Sequence, residues 1–227
     1  MTTRALPVII PVKTLHSAKQ RLAPVLSAED RRRLVLAMLA DVLTTLSKVA
    51  AVSSVIVVTP DPDVAAFARA EKAQVLAEPH GGGLNAAVQR GLTHIDAVRA
   101  GRVLVIPGDV PLASSEELTK LAESAVRHEG PRVSLVPSHD GGGTNALFLS
   151  PPDVIEPEFG PGSFVKHLAA AVARRIDAEV MQLPGLAADV DLPEDLAWLR
   201  RARSGVPRYA FLLPSAMPGE TILRNMP

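Results

Sequence analysis

Three aspartates and three basic residues have the types and spacing to handle a metal ion and a polyphosphate. Asp109 lies in Ile106-Pro107-Gly108-Asp109-Val110-Pro111, directly after an apolar run. A carboxylate so placed is held rigidly at a strand end. Magnesium commonly takes one or two protein carboxylates there and leaves its other positions to water and phosphate oxygens. The alternative is a turn aspartate that caps the next helix. Asp189 and Asp191 stand two residues apart in Ala188-Asp189-Val190-Asp191-Leu192-Pro193. In extended backbone such residues face the same way, so both can address one ion. Asp191 is also placed to cap a helix beginning at Pro193, which leaves Asp189 as the better ligand of the two. Lys13, Lys19 and Arg21 follow the first strand at intervals that suit a loop wrapped around a polyphosphate. Lysine supplies a mobile point charge and arginine a planar fork for two oxygens. The other reading is a solvated basic loop. The spacing is not that of a P-loop, so a Walker-type ATPase is not indicated.

Two glycine runs flank these groups: Gly81-Gly82-Gly83-Leu84-Asn85 and Gly141-Gly142-Gly143-Thr144-Asn145. Three glycines in a row suit backbone that turns sharply or lies against a ligand. A repeat with the same small polar sequel suggests two ligand-facing loops rather than two surface turns. Phe159-Gly160-Pro161-Gly162-Ser163 opens a helix, and a helix start with free N–H groups is a ready anion site. Ser163 serves there as an anion ligand, as a cap, or as both. His167, in the first turns of that helix, is expected to be a surface residue. His16, His80, His128 and His139 carry no signature of a nucleophile–base pair.

The positioning elements follow from apolar patterning. Apolar runs at 6–12, 54–59, 74–77, 102–106, 132–137, 145–150 and 179–183 read as strands. Helical stripes fall at 27–46, 61–70, 85–98, 115–127, 163–175 and 193–203. Their alternation predicts an α/β fold with a doubly wound, mainly parallel sheet, whose ligands collect at the carboxyl ends of the strands. One domain is expected over 1–203, with 204–227 an extension, arm or tail. The chain of 227 residues carries 24 basic and 24 acidic residues. With that balance and so few aromatics, neither nucleic acid nor an anionic membrane is an expected partner. Having no cysteine, it has no thiolate metal site or cysteine nucleophile. No run reaches the roughly 20 apolar residues of a membrane span, and the N-terminus lacks a signal-peptide pattern. A cytoplasmic location is expected; the sequence fits a monomer and a homodimer equally.

In this order the pieces resemble the 2-phospho-L-lactate guanylyltransferase family of deazaflavin coenzyme (coenzyme F-420) biosynthesis. The resemblance rests on Ile10-Pro11-Val12-Lys13 with Ala18-Lys19-Gln20-Arg21-Leu22, on both glycine runs, and on Ile106 to Leu112. It continues through Phe159 to Phe164 and Asp189 to Leu196, and runs to about residue 203. It implies a nucleotidyltransferase fold of the nucleotide-diphospho-sugar transferase kind. It also implies transfer of GMP from GTP to the phosphate of phosphoenolpyruvate, 2-phospho-L-lactate or 3-phospho-D-glycerate. By this resemblance Asp109, Asp189 and Asp191 would hold Mg2+, while Thr144, Gly160 and Ser163 would bind the acceptor, with Asn145 and Gly162 beside them. Lys13, Lys19, Arg21 and Asp109 would do the catalytic work. Pro11, Val12, Lys13, Gly81, Gly82, Gly83, Asn85, Pro107 and Gly108 are the nucleotide candidates. The attacking phosphate oxygen is already anionic, so such a site needs no general base, only charge and position. Rival readings are a molybdopterin guanylyl- or cytidylyltransferase, a metal-dependent glycosyltransferase of similar architecture, and a non-catalytic nucleotide-binding module. The first should carry a Gly-rich loop where Pro11-Val12-Lys13 stands. The second should carry its Asp-x-Asp pair where Asp109 stands alone.

Overall fold

The computed structural model describes residues 5–213, apart from 79–81, 98–99 and 127–129. β1 (Leu6–Pro11) is buried along its whole length because both faces of the sheet are covered. Val8 and Ile10 join one core layer, and Ile9 joins the other. β2 (Val52–Thr59) pairs parallel with β1, and β3 (Gln74–Ala77) pairs parallel with β2. On the other flank β4 (Val103–Val105) is parallel to β1. β6 (Thr144–Ser150) runs antiparallel between β4 and β5 (Arg132–Pro137), and β7 (Ala178–Val180) closes that edge parallel to β5. The seven-stranded order is β3-β2-β1-β4-β6-β5-β7.

The reversed strand has a local cause. Only a short turn separates β5 from β6, and a short connection can join antiparallel strands but not parallel ones. The amino end of β6 therefore lies at the same sheet edge as the carboxyl ends of β1, β4 and β5. Residues 144 and 145 thus reach the edge where ligands of parallel sheets gather.

One face is covered by α1 (Ala28–Leu46), α2 (Pro62–Ala70), α4 (Ser115–Val126), the short α6 (Pro184–Ala187) and α7 (Asp195–Ala202). The opposite face carries α3 (Gly83–Ala97) and α5 (Ser163–Ala173). α1 starts as its sequence dictates: Ser27 Oγ accepts the Asp30 N–H at 3.0 Å, with Glu29 and Asp30 in the first turn. The last helix begins later than Pro193. Asp195 folds back so that its Oδ2 accepts the N–H groups of Asp191 and Leu192, both at 2.7 Å, and residues 193–194 form a turn instead.

Beyond residue 203 the chain continues to pack. Residues Pro207–Leu212 form a 3-10 helix whose Tyr209 and Leu212 are buried in the α1 layer. Tyr209 donates to Asp41 at 2.9 Å, and the guanidinium groups of Arg203 and Arg208 pair with the same carboxylate at 2.8 and 3.2 Å. Arg33 lies over the Phe211 ring, 4.4 Å from its centroid. Residues 214–227, the rest of the expected extension, lie outside the described residues. No helix among the described residues is long and apolar enough to cross a membrane.

Candidate active site

A cavity of about 620 Å³ opens at this sheet edge, a size suited to a nucleotide-scale ligand. Its wall brings together Pro11, Val12 and Lys13 at the carboxyl end of β1, Pro107, Gly108 and Asp109 after β4, and Thr144 and Asn145 at the start of β6. Lys19, Arg21, Gly160, Gly162, Ser163, Asp189 and Asp191 are on it too. Of the first glycine run, Leu84 lines the cavity, whereas Gly82, Gly83 and Asn85 are not on its wall. Gly81 lies outside the described residues.

The basic loop is folded rather than free. Leu15 and Leu22 are buried beneath it, and the Leu15 N–H donates to Asp61 Oδ2 at 2.8 Å. The same aspartate caps α2 through its other oxygen, which fixes the loop against β2. Lys19 adopts a left-handed conformation at φ 50°, uncommon for a residue with a side chain. That turn aims its ammonium between two acids: it donates to Asp109 Oδ2, and to Asp191 Oδ1 at 2.9 Å. Burial alone would lower the Lys19 pKa; the Asp109 and Asp191 charges outweigh it and raise the value, so the ammonium stays charged. Arg21, largely exposed, reaches Asp191 Oδ2 at 3.3 Å. Lys13 is exposed at the mouth.

The acids are tied to each other through the main chain, since the Val190 N–H donates to the Asp109 carbonyl at 3.2 Å. Asp191 spends its carboxylate on Lys19 and Arg21, so it does not cap the final helix. Asp189 Oδ1 accepts from Asn145 Nδ2 at 2.9 Å, and His139 Nδ1 lies 3.4 Å away. Burial raises the Asp189 pKa and the nearby Asp109 charge adds to this, against the Asn145 hydrogen bond. Among the described residues no three His, Cys, Asp or Glu side chains form a ready-made metal cluster. Lys19 stands between two of the three expected ligands.

The second glycine run makes the β5–β6 turn and consumes its own amides. Asp140 Oδ1 accepts the Gly142 N–H at 2.9 Å, and Ser138 Oγ accepts the Gly143 N–H at 2.6 Å. The Ser138 hydroxyl also donates to Asp140 Oδ1 at 2.5 Å; that bond first, and the one from Gly142 second, hold the Asp140 pKa low. What the turn offers the cavity is thus mainly the side chains it delivers, Thr144 and Asn145. Asn145 also donates to the Ala187 carbonyl at 3.0 Å, and so holds α6 as well as Asp189. Ahead of α5, Gly160 and Gly162 sit at φ 121° and 71°, values side chains rarely adopt.

His167 departs from expectation: it is fully buried, not on the surface. Its Nε2 accepts the Glu158 N–H at 3.0 Å, and its Nδ1 lies 3.0 Å from Thr144 Oγ1. The Phe159 ring meets the imidazole edge to face, with centroids 5.1 Å apart. Asn85 holds the same segment, donating to the Phe159 carbonyl at 3.1 Å and accepting its N–H at 2.8 Å. Asn85 therefore positions the turn before α5. Burial, helped by the Lys166 charge, lowers the His167 pKa from 6.5 to about 4. The unfolded chain takes up this proton near 6.5 and the native chain only near 4, so the native state binds fewer protons in between. Stability therefore rises with pH across that window. Thermal or urea unfolding of the parent chain should lose about 3 kcal/mol to this group between pH 6.5 and 4. A His167→Asn chain should lack that part of the slope; an unchanged slope would refute the assignment.

Sequence reasoning overlooked Ser138 and Asp140, which also line the cavity. Their signal was a carboxylate immediately before the second glycine run.

Residues 6–212 match the family model described as guanylyl transferase CofC like. The chain belongs to that family. The match continues past residue 203, in keeping with the buried positions of Tyr209 and Leu212. A protein of Sphaerobacter thermophilus named phosphoenolpyruvate guanylyltransferase is 40% identical over 196 residues, covering 86% of this chain and 91% of that one. One of the same name from Rubrobacter xylanophilus is 42% identical over 198 residues, covering 87% and 94%. A structure from Desulfovibrio desulfuricans G20 assigned to the nucleotide-diphospho-sugar transferases superposes with a TM-score of 0.71 at 17% identity. It covers 92% of this chain and 91% of that one. The fold is of that kind, and the chain is a nucleotidyltransferase of the guanylyl-transferring type.

Proposed function

We propose that this chain transfers GMP from GTP to the phosphate of a three-carbon phosphocarboxylate, with phosphoenolpyruvate the first candidate, as a step of coenzyme F-420 biosynthesis. One observation carries the reading. The same cavity is lined by a cationic loop, by the acids around Asp109, and by the hydroxyls of Thr144 and Ser163 at a helix start. Two anionic substrates need such a site, and the names of the relatives supply the pair. An acceptor phosphate oxygen attacks the α-phosphorus of GTP. The bond from that phosphorus to the bridging oxygen breaks, and pyrophosphate leaves with the electron pair. Lys13, Lys19 and Arg21 draw the triphosphate in and neutralise charge on the transferring and departing oxygens. Thr144, Ser163 and the positive end of α5 hold the acceptor so that its oxygen faces phosphorus.

The donor set fits Mg2+, which prefers hard oxygen ligands and needs only one or two protein carboxylates. Asp109, with Asp189 and Asp191 beside it, would hold the ion, and the Asn145 hydrogen bond would orient Asp189 for it. Bound there, the ion supplies charge stabilisation to the phosphoryl oxygens.

Pyrophosphate release tests the assignment. Purified protein and Mg2+ are incubated with each of the four nucleoside triphosphates and with phosphoenolpyruvate, 2-phospho-L-lactate or 3-phospho-D-glycerate. Release that requires both GTP and phosphoenolpyruvate is expected. Absence of acceptor-dependent release with GTP would overturn the reading.

A further inference from the structure

We propose that His167 is a positioning residue that turns the hydroxyl proton of Thr144 into the cavity, where it is donated to an oxygen of the phosphocarboxylate acceptor. The inference rests on the acceptor placement given above, and its own content is a proton count. A backbone N–H can only donate, so the 3.0 Å contact from the Glu158 N–H to Nε2 requires that nitrogen to be unprotonated. A neutral imidazole then carries its proton on Nδ1, and its burial and low pKa keep it neutral at pH 7. Nδ1–H points at Thr144 Oγ1, 3.0 Å away, and must donate to it. Ser163 Oγ donates to the same oxygen at 3.3 Å. A hydroxyl has two acceptor lone pairs and one proton. Both lone pairs are now occupied from the protein side, so the proton has one direction left, and Thr144 lines the cavity.

The imidazole is itself held in register. The Phe159 ring packs on its edge, and Asn85 clamps the main chain of Phe159 from α3. The acceptor therefore meets a hydroxyl whose donor direction is set before binding, at no rotational cost on arrival. The protonated imidazole would instead lose the Glu158 hydrogen bond. Its neutrality is a condition of the arrangement.

Two measurements test this. In the wild-type protein, a long-range 1H–15N spectrum of His167 should show a protonated Nδ1 and a bare Nε2 at pH 7. The reverse tautomer or the cation would overturn the inference whatever the reaction turns out to be. In steady-state assays, His167→Phe should raise KM for phosphoenolpyruvate by about tenfold, the worth of a hydrogen bond to a charged group. KM for GTP should stay within about twofold. His167→Asn places an amide N–H near the Nδ1 position and should recover most of the loss, as a merely space-filling residue would not. Thr144→Val should match His167→Phe, and the double variant should be no worse than either alone. Losses that multiply, or that fall equally on GTP, would overturn the inference. Should His167→Phe fail to fold, the tautomer spectrum and the Asn variant still decide. Failure of the wild-type protein to use any acceptor would count against the assigned reaction, not against the tautomer.

Discussion

The Asp109→Asn chain should fold and yet release pyrophosphate about 10³-fold more slowly than the parent. Asparagine matches aspartate in size and leaves the main chain after β4 in place, including the Asp109 carbonyl that accepts from Val190. What it removes is one negative charge at the point where the cationic loop meets the acids. Two consequences follow. The strand end loses its anionic ligand for a divalent ion, and an amide oxygen is a poor substitute where full charge is needed. Lys19, nine-tenths buried, loses one of its two counterions but keeps Asp191 at 2.9 Å. Stability should fall by about 2 kcal/mol, the scale of a hydrogen bond to a charged group, and not by enough to unfold the domain. Far-UV circular dichroism and thermal unfolding check the fold, and pyrophosphate release with GTP and phosphoenolpyruvate checks the chemistry. Activity within tenfold of the parent would remove Asp109 from the centre of the mechanism.

Much of this site was readable because its parts sit at strand ends. Asp109 comes just after four consecutive buried apolar residues, Val103 to Ile106, and its place at the sheet mouth needs little beyond that pattern. The strand at 132–137 coincides with its apolar run, and the reversed β6 follows from the brief turn before it. Long-range partners were not readable. Asp191 has a helix-capping context in sequence, but Lys19 and Arg21, distant in the chain, claim its carboxylate, and Asp195 fulfils the local role. Asn85 looked like a ligand group beside glycines, while its amide is engaged by the main chain of Phe159. His167 left a trace that a surface assignment ignored. Phe164, Leu168 and Ala171 form the packed stripe of α5. Position 167 lies three residues after the first and four before the last, on the same helical face. A histidine on an apolar stripe needs partners for both nitrogens, and here the partners are the site's own loop and threonine. The two glycine runs, alike in letters, also differ in use. The first opens α3 and presents Leu84 to the cavity; the second turns the chain to deliver Thr144.

Lys19→Met is the sharpest probe of the cationic loop and should cost about 10³-fold in turnover. Methionine keeps the length and apolar stem of lysine, so Lys19's contribution to packing survives while the ammonium is lost. The left-handed backbone at residue 19 is a local strain of about 1–2 kcal/mol for a side-chain-bearing residue. It places the ammonium between Asp109 and Asp191, and the rest of the loop is braced for it by Leu15, Leu22 and Asp61. Without that cation, Asp109 and Asp191 face each other, and Asp191 keeps the exposed Arg21. Triphosphate oxygens then enter a more negative site, so KM for GTP should rise together with the fall in kcat. That pattern differs from the acceptor-specific effect expected at His167. Lys19→Arg should not rescue the loss: a planar fork pairs two-pronged with one carboxylate and does not reproduce the point contact that the ammonium makes with both Asp109 and Asp191. A Lys19→Arg chain with near-parental turnover would show that charge alone suffices there, and that the strained turn at residue 19 is not needed to place it.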